Sequence, residues 1–366
     1  MSKAMNERAS ETNVATPILS VILPNYNHAA YLAHALDALL SQELPADEII
    51  VVDDCSTDDS RDVVKRYAEK HSSVRLLANP RNLGAIATLS RGLNEARGQY
   101  LYFGAADDFV MPGFFAIAIR MLRAHPSAGL FCGDAILIDG RSRQTMGIRP
   151  PVRPRFSAGF INPAKVAKLL RRNDNFIVTG AAVFRRDAVT WAGDFDERLS
   201  SFADSYLARI VALTFGFCYA PNTVVTWCVF PGGVSRTTST ERALRWQVLG
   251  NITTLMAASP VFPRWYQDVF VRRWRFWISR LGVQANPVDR DVLMDMGAQN
   301  GIDRTLYGLV LKIFSGDWAR FLILSWLWLR LRPYSLSGLG ATVLMRQLDN
   351  FHTHSSNIML ELGPKR

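Results

Sequence analysis

The sequence predicts an α/β protein in which helices flank both faces of a mostly parallel, Rossmann-like sheet, with a mainly helical region following it. Two observations predict this fold class. Short apolar runs alternate with segments of helical periodicity through the first third of the chain, and repeated β-α-β order implies a parallel sheet. Beyond residue 236 the apolar spacing becomes mainly helical, with many Trp and Arg residues.

The elements of the first half can be assigned in order. Residues 17–25 form a short apolar run that ends at Pro24 and Asn25, as a buried parallel strand does. The segments that follow are a helix at 28–42 capped by Asn27, a strand at 47–54, a helix at 55–71 opened by Ser56 or Thr57, a strand at 74–79, a helix at 85–97 introduced by Gly84, and a strand at 99–108.

The second half has a less regular pattern. Residues 141–172 hold nine Lys and Arg, no Asp or Glu, and several prolines, which predicts an irregular connection that is either a solvated loop or a phosphate or membrane contact. Residues 176–230 then predict a strand, a helix, a loop, a helix and a strand.

The length of 366 residues exceeds what one hydrophobic core ordinarily supports, which is about 250 residues. We therefore expect a first domain at 17–236, with halves 17–110 and 111–236, and a helical region at 237–366. Residues 1–16 are polar and lack the apolar stretch of a signal peptide, so a disordered tail is expected there. A hydrophobic content of 49% excludes wholesale disorder.

The net charge of +10 predicts an anionic partner, and residues 241–366 contribute most of it, with sixteen Lys and Arg against nine Asp and Glu. Anionic lipid or a diphosphate-bearing substrate would fit; no nucleic-acid-binding motif accompanies the charge, so nucleic acid is not expected. Four scattered cysteines indicate free thiols and a cytoplasmic location. The longest apolar run is too short to span a bilayer.

Aromatic residues recur every four positions after residue 260 and therefore share one helix face. They are Phe262, Tyr266, Phe270 and Trp274. Two interpretations remain open. The stripe either forms an aromatic core between packed helices or lies on a membrane surface, since Arg264, Arg272, Arg273 and Arg275 flank it and residues 318–334 have a similar composition.

Acidic residues follow several of the predicted strands, and in such sheets ligands bind beyond the carboxyl ends of the strands. Asp53 or Asp54 could accept hydrogen bonds from a nucleotide base or ribose, although an Asp-Asp pair after a strand is also a common turn or cap. Asp107 and Asp108 offer the hard oxygen ligands that Mg²⁺ or Mn²⁺ prefers beside a diphosphate. Asp204, in the second half, is the candidate general base.

Four ordered segments resemble the inverting family 2 glycosyltransferases and cover about residues 17–236. They are SVILPNYNHAAYLAHALDALLSQ, EIIVVDDCSTDDS, NPRNLGAIATLSRGLNEARGQYLYFGAADDFVMPGFF and TGAAVFRRDAVTWAGDFDERLSSFADSYLARI. The resemblance implies an A-type glycosyltransferase fold, a nucleotide-sugar donor for which a UDP sugar is expected, and a glycan or lipid-linked hydroxyl acceptor at the inner face of the membrane.

The resemblance also implies roles for individual residues. Asp204 corresponds to the catalytic base, and Asp107 and Asp108 to the metal-binding acids. The implied nucleotide-binding residues are Pro24, Asn25, Tyr26, Asp53, Asp54, Asn82, Gly84, Ala106 and Asp107. Asp194, Asp196 and Glu197 are alternatives for an acceptor contact.

Three positions depart from the family pattern. Ala105 stands where many members begin the aspartate motif with an acid, Ala203 precedes the base where Glu is usual, and Phe230 occupies a position often held by His. These departures motivate an alternative hypothesis, a catalytically degenerate module that binds a nucleotide or glycan without turnover. A Rossmann dehydrogenase is disfavoured, because the first strand-helix turn has no Gly-rich phosphate loop.

Overall fold

A computed structural model describes residues 18–230 and 241–334. The first half alternates strands and helices as predicted. Its elements are β1 (Leu19–Asn25), α1 (Ala29–Leu40), β2 (Glu48–Asp53), α2 (Ser60–Lys70), β3 (Val74–Ala78), α3 (Ala85–Glu95) and β4 (Tyr100–Phe103). The four strands pair in parallel in the order β3-β2-β1-β4, and β1, β2 and β4 are almost wholly buried because helices cover both faces.

The second half adds shorter elements. They are β5 (Phe109–Val110), α4 (Phe114–Ala124), β6 (Leu130–Asp139), β7 (Thr145–Arg149), β8 (Gly159–Ile161), α5 (Pro163–Arg172), a 3₁₀ turn (Thr179–Ala181), β9 (Ala182–Arg185), α6 (Arg186–Ala192), a second 3₁₀ segment (Glu197–Phe202), α7 (Ala203–Phe215) and β10 (Phe217–Val229). The sheet continues β4-β9-β6-β10-β5, with β7 beside β6 and β8 beside β10.

The sheet is mixed rather than mostly parallel. Strand β9 runs antiparallel to both β4 and β6, and among the described strands five of the nine pairings are antiparallel. The parallel prediction therefore holds for β1 to β4, and for the β6-β10 pair. Because β6 remains parallel to β4 across β9, the carboxyl ends of β1, β4, β6 and β10 still share one edge of the sheet.

Residues 141–172 are not an irregular connection, which corrects the sequence-based prediction. They contain β7, β8 and α5, separated by short proline-containing segments. Helix α5 begins with Pro163 directly after Asn162, whose side-chain oxygen accepts a hydrogen bond from the Lys165 N–H at 2.9 Å. This Asn-Pro helix start was present in the sequence.

Two predicted helix caps are also wrong. Helix α1 begins after His28, while Asn27 has a positive φ of 55° and its Oδ1 accepts a hydrogen bond from the Thr57 N–H. Helix α2 begins at Ser60 rather than at Ser56 or Thr57. The loop before α2 instead binds neighbouring loops: Asp58 Oδ2 accepts a hydrogen bond at 2.9 Å from the N–H of Ala29, the first residue of α1.

Residues 241–334, the described part of the C-terminal region, are mainly helical as predicted. This part consists of α8 (Arg242–Ala258), α9 (Tyr266–Gln284), a short α10 (Arg290–Val292) that runs into a π-helical turn (Leu293–Gly297), α11 (Gly301–Ile313) and α12 (Gly316–Leu331). The buried residues of α8 and of the first half of α9 belong to the same hydrophobic core as the sheet. A smaller cluster joins the end of α9 to α11 and α12.

The aromatic stripe on α9 is a core feature. Phe262 lies before the helix, so the predicted shared helix face holds only for Tyr266, Phe270 and Trp274. The first three of the four side chains are buried, Trp274 is half-buried, and all four rings pack in series. The core interpretation is confirmed, and the membrane-surface alternative for this stripe is wrong. Arg273, one of the flanking cations, is buried and donates to the carbonyls of Leu170, Arg171 and Pro333.

None of the helices within residues 18–230 and 241–334 combines the length and the apolar character needed to cross a bilayer.

Candidate active site

The ends of β1 and β2 place two polar side chains opposite each other. Asn25 and Asp53 are register partners, and the Asn25 Nδ2 donates to Asp53 Oδ2 at 3.0 Å. Asp53 Oδ1 accepts from the Ser56 N–H and from the Arg61 Nε, at 3.1 and 2.5 Å. Burial alone would raise the pKa of Asp53, but the hydrogen bonds from Ser56, Arg61 and Asn25 lower it overall. Asp53 is therefore an anion held chiefly by protein donors.

Asp54 organises the loop before α3. Its Oδ1 accepts from Asn79 Nδ2 and from the Leu83 N–H, and its Oδ2 accepts from the Gly84 N–H, all at 2.7–2.9 Å. Gly84 has a φ of 88°, which an L side chain adopts only with strain, and the exposed Asn82 also accepts from its N–H. The contacts of Asp53 and Asp54 are thus those expected of residues in a turn. Each carboxylate accepts three hydrogen bonds and can accept one more.

The strongest sign of a missing donor at this edge is the side-chain oxygen of Asn25. Its Oδ1 is buried, and no hydrogen-bond donor reaches it within the described residues. Buried amide oxygens are nearly always bonded. Next to it, Tyr26 is 44% exposed and Pro24 is half-buried, so an aromatic face adjoins an unsatisfied acceptor.

Asp107 and Asp108 lie in the loop between β4 and β5, after the buried Ala106. Burial raises the pKa of Asp107, and the charge of His28 counteracts this. Burial also raises the pKa of Asp108 well above its ordinary value, the charge of Asp107 adds to the rise, and the Cys228 N–H, which donates to Asp108 Oδ1 at 2.8 Å, counteracts both. Two adjacent carboxylates that disfavour each other's charge form a site that a cation would stabilise.

Asp204 is the second residue of α7 and is half-buried. Its Oδ2 accepts a short hydrogen bond from the Thr179 hydroxyl, and its Oδ1 accepts from the Ser205 N–H at 2.5 Å. Burial raises the pKa of Asp204, while the hydrogen bonds from Thr179 and Ser205 and the charge of Arg209 hold the rise in check. A carboxylate with a raised pKa is a better proton acceptor at neutral pH than an ordinary aspartate.

The 3₁₀ turn Thr179–Ala181 brings these carboxylates together. Thr179 binds Asp204, and a Cβ added to the next residue, Gly180, would lie 3.9 Å from Asp108 Oδ2. The Gly180 carbonyl accepts from the Tyr102 hydroxyl at 3.1 Å, which fastens the turn to β4. Two consecutive residues of this turn therefore lie beside the two halves' acids: Thr179 binds Asp204, and Gly180 adjoins Asp108.

The residues present fit a divalent metal held jointly with a ligand. The described residues contain no group of three or more His, Cys, Asp or Glu side chains arranged to hold a metal alone. Mg²⁺, however, usually takes only one or two carboxylates and completes its shell with water and substrate phosphates. Asp107 and Asp108 supply such a pair of oxygen ligands.

The three departures from the family pattern have local structural partners. The Ala105 carbonyl accepts from the Asp108 N–H at 3.2 Å, and Ala203 is buried at the start of α7. Phe230 packs against Tyr31, with ring centroids 5.2 Å apart. Residues 231–236, the end of the stretch over which the family resemblance extends, lie outside the described residues.

Sequence reasoning assigned no role to Thr179 or Gly180, although both lie in a segment that carried the resemblance. A small hydroxyl and a glycine have no distinctive chemistry until a carboxylate lies beside them. Among the alternative acceptor acids, Asp196 is paired with Arg198 at 2.6 Å and caps the second 3₁₀ segment. Burial raises the pKa of Asp194.

A sheet of this order, with carboxylates from both halves meeting at its carboxyl edge, has the architecture of the A-type glycosyltransferases. Residues 20–190 match the model of the family described as "Glycosyl transferase family 2", and this segment is a family 2 glycosyltransferase domain.

Curated relatives match shorter stretches of the chain. A protein named uncharacterized glycosyltransferase YibD, from Escherichia coli, is 39% identical over 107 residues, 29% of this chain and 31% of the relative. The putative teichuronic acid biosynthesis glycosyltransferase TuaG, from Bacillus subtilis, is 36% identical over 92 residues, 25% of this chain and 36% of the relative. The chain thus spans about a third of the length of these relatives.

Solved structures share the fold over a larger part of the chain. Staphylococcus aureus TarS residues 1–349 in complex with UDP-GlcNAc aligns with a TM-score of 0.58 and 17% identity, covering 76% of this chain and 80% of the TarS 1–349 chain. A Pyrobaculum calidifontis mannosyltransferase in complex with GDP-Man and Mn²⁺ aligns with a TM-score of 0.52 and 19% identity, covering 90% and 87%.

Proposed function

We propose that this protein transfers a sugar from a nucleotide-diphosphate donor to a hydroxyl acceptor with inversion at the anomeric carbon. The observation that carries the proposal is the 3₁₀ turn at Thr179–Ala181, one residue of which binds Asp204 while the next adjoins Asp108. A candidate proton acceptor and a candidate diphosphate site thereby lie on either side of one short turn. The family 2 match at residues 20–190 supports the same reaction class.

The acid of the second half has the properties of the base. The Asp204 carboxylate would accept the proton of the acceptor hydroxyl as its oxygen bonds to the anomeric carbon. The bond from that carbon to the diphosphate oxygen breaks at the same time, and its electron pair leaves on the diphosphate. Attack from the face opposite the leaving group inverts the configuration. The raised pKa of Asp204 matches this task, because a stronger base accepts the proton more readily.

The donor would bind at the ends of β1 and β2. Asn25 Oδ1, buried without a donor among the described residues, fits a ring N–H of a nucleotide base, and the exposed Tyr26 ring offers a stacking surface. Asp107 and Asp108 would hold Mg²⁺ or Mn²⁺ with the diphosphate. The metal would neutralise the charge that develops on the leaving group. A UDP sugar is the proposed donor, in keeping with the UDP-GlcNAc bound by TarS.

The proposed setting is the synthesis of a cell-surface polysaccharide or glycolipid on the cytoplasmic side of the membrane. The relative named for teichuronic acid biosynthesis supports a role in the synthesis of a cell-surface polysaccharide. The four cysteines, Cys55, Cys132, Cys218 and Cys228, are all free thiols, as expected in a reducing compartment.

Peripheral membrane contact is proposed through α11 and α12 rather than through the aromatic stripe of α9. Trp318 and Phe321 on α12 are 70% and 61% exposed, and Ile302 and Ile313 on α11 are similarly exposed. Large exposed apolar side chains in the basic C-terminal region fit an interfacial lipid surface. Loss of vesicle binding in a Trp318→Ser, Phe321→Ser variant would support this contact, and unchanged binding would refute it.

The test of the transfer reaction is Asp204→Asn. We expect this variant to lose turnover while the affinity for the donor stays within a few-fold, because Asp204 contacts the acceptor side. Asp62→Asn is the matched control, since Asp62 is an exposed acid in α2 whose ion-pair partner is Lys65. Release of nucleoside diphosphate from a panel of donors with Mn²⁺ measures turnover, and calorimetry measures donor affinity. Undiminished turnover in Asp204→Asn would remove that residue from the role.

The second candidate function is a binding module of the same fold without turnover. Ala105, Ala203 and Phe230 favour it, since Ala203 is packed into the protein and leaves Asp204 without an acidic neighbour at that position. Acceptor-dependent release of diphosphate from any donor would exclude this function. Donor binding without release would support it.

A further inference from the structure

We propose that a pocket between α5 and the segment preceding β8, here termed the α5 pocket, binds a phosphate-bearing amphiphile. This site is additional to the proposed sugar transfer. It combines an apolar interior, a row of cations that have no acidic partner, and a position at the other end of β10 from Asp108.

The α5 pocket has the dimensions of a small-molecule site. Its volume is about 720 Å³, within the range of roughly 300–1,000 Å³ for ligand pockets. The residues that line it include no acid; they are Pro154, Arg155, Phe156, Ser157, Phe160, Ile161, Lys165, Lys168, Leu169, Arg171 and Arg172.

Three of these cations form a row along one face of α5. Lys165, Lys168 and Arg172 are spaced by three and four residues, so their side chains project from the same side of the helix. All three are exposed, and none has an ion pair with an acid within residues 18–230 and 241–334. The whole segment 141–172 lacks acidic residues, so no sequence neighbour neutralises them.

The other two cations have structural roles. Arg155 donates to the carbonyls of Ser157 and Phe160, which shapes the wall of the pocket. The Arg171 guanidinium lies 4.5 Å from the centroid of the Trp265 ring. The row formed by Lys165, Lys168 and Arg172 is therefore the part that remains for a ligand.

An uncompensated row of this kind costs stability. Like charges three or four residues apart on a helix repel each other and destabilise the helix slightly. A multivalent anion placed among three cations would turn this repulsion into attraction, and phosphate, with several acceptor oxygens, suits both ammonium and guanidinium donors. The helix face is arranged for a bound anion rather than for the free protein's stability.

The apolar lining distinguishes an amphiphile from a bare phosphate. Phe160, Ile161 and Leu169 line the pocket beside the cations, and Phe156 is 79% exposed at its edge. An apolar chain attached to the phosphate would cover these side chains and remove apolar surface from water, at about 25 cal/mol per Å². A free phosphate ion would leave these apolar side chains exposed to water.

The β8 side of the α5 pocket lies far along the sheet from the Asp107–Asp108 pair of the candidate active site. Strand β8, which supplies Phe160 and Ile161, pairs with Phe217–Tyr219 at the start of β10. The N–H that binds Asp108 belongs to Cys228, near the end of the same strand. Nine residues of strand, on the order of 30 Å when fully extended, separate these two positions.

The test uses decyl phosphate below its micelle concentration, inorganic phosphate, and decanol as separate probes of the full chain, with affinity measured by calorimetry. We expect decyl phosphate to bind at least about tenfold more tightly than either other probe, because only it satisfies both parts of the pocket. A Lys165→Gln, Lys168→Gln variant should lose about tenfold or more in this affinity. Lys65→Gln, which removes a lysine on α2, is the matched control and should bind like the parent.

Three outcomes would overturn the proposal: equal affinity for inorganic phosphate and decyl phosphate, unchanged affinity in the double-lysine variant, or a fall in the Tm of that variant. The last would show that the lysines hold the fold. An unchanged or raised Tm together with weakened binding supports it. Retention of sugar transfer by the double-lysine variant shows that its loss of decyl phosphate binding is separate from the proposed function. A vesicle-binding defect confined to the Trp318→Ser, Phe321→Ser variant separates the α5 pocket from the α11–α12 surface.

Discussion

Removing the Thr179 hydroxyl tests the link between the 3₁₀ turn and the candidate base. In Thr179→Val the shape of the side chain is nearly kept, but Asp204 Oδ2 loses its hydroxyl donor. That hydrogen bond favours the charged form of Asp204 and lowers its pKa against the effect of burial. The substitution should therefore raise the pKa further.

The magnitude follows from the strength of one hydrogen bond to a charged group, about 1.5–3 kcal/mol. Since a shift of one pKa unit corresponds to about 1.36 kcal/mol, the pKa of Asp204 should rise by about 1–2 units. A base acts only when deprotonated, so activity is lost as the pH falls through this pKa. The acid limb of the pH profile should consequently move up by about 1–2 pH units.

The assay is acceptor-dependent release of nucleoside diphosphate across the pH range in which the protein stays folded. We expect kcat of Thr179→Val to fall most at acidic pH and to recover towards the parent value at alkaline pH, with KM for the donor little changed. Thr179→Ser keeps the hydroxyl and should restore the parent profile. A structural role alone would lower activity equally at every pH.

An unshifted acid limb in Thr179→Val, with wild-type kcat, would refute the reasoning. Either the hydrogen bond would then have no influence on Asp204, or Asp204 would not be the titrating base. Asp204→Asn alone distinguishes these two cases. If Asp204 is the base, this variant loses turnover, and if another group is the base, turnover is retained.

Three further predictions concern stability and the acidic pair. Arg61→Met should lower the free energy of unfolding by about 1–3 kcal/mol at pH 7, discounted because Arg61 is partly exposed. The fold lowers the pKa of Asp53, so the ionised carboxylate stabilises the protein above its unfolded pKa of about 3.9, and this stabilisation is lost as the pH falls. The difference in unfolding free energy between the parent and Arg61→Met, measured in urea, should therefore shrink below about pH 4. Gly98→Ala should destabilise the protein by about 1–3 kcal/mol, because the added Cβ would lie 2.6 Å from the Ser20 nitrogen. Gly250→Ala should stabilise it by about 0.5–1 kcal/mol, because Gly250 lies within α8 with open space around it. Thermal unfolding that gives both variants a change of the same sign would contradict this. Because the pKa of Asp108 is raised in the fold, the protein loses stability as the pH rises through that pKa and the buried carboxyl group ionises. Asp108→Asn should therefore have a higher Tm than the parent at pH 8. The variant should also lose any rise in Tm that Mn²⁺ gives the parent.

The sequence predicted those parts of the fold that depend on local pattern. Strands β1 to β4 are continuous apolar runs bounded by turn residues, and the helices between them have clear apolar faces, so their order and parallel pairing could be inferred. The direction of β9 could not. It depends on pairing with β4 and β6, which lie some 80 and 50 residues earlier in the chain, and a four-residue apolar run carries no sign of direction.

Helix starts were misplaced for a related physical reason. The sequence-based assignment looked for the cap of α1 next to its own first turn, but Asp58 supplies the carboxylate oxygen that accepts from the Ala29 N–H. The start of α3 after Gly84 was predicted correctly, although the acceptor of the Gly84 N–H is likewise a distant acid, Asp54. Each of these two carboxylates accepts a hydrogen bond from a residue about 30 positions away in the sequence, across the edge of the sheet. Capping of this kind is tertiary and leaves no local signature.

The candidate site was predicted to the extent that it consists of charged residues. Asp107 and Asp108 were identified because carboxylates that follow a strand suggest chemistry, and Asp204 because a base was expected in the second half and the family resemblance matched that position. The Thr179–Ala181 turn lies beside both Asp204 and Asp108. Their assigned roles stay predictions. Thr179 and the unsatisfied oxygen of Asn25 were not identified, since their significance comes from burial and from a neighbour that only the folded chain provides.

The interlocked loops after β1, β2 and β3 have a consequence for engineering this scaffold. Ser56 Oγ accepts from the Asn27 N–H, Asp58 holds the start of α1, and Asp54 holds Gly84. A chimera that imports only one of these loops from another transferase would leave orphaned carboxylates and amides on its two neighbours. Attempts to exchange donor preference should therefore transplant all three segments as a unit.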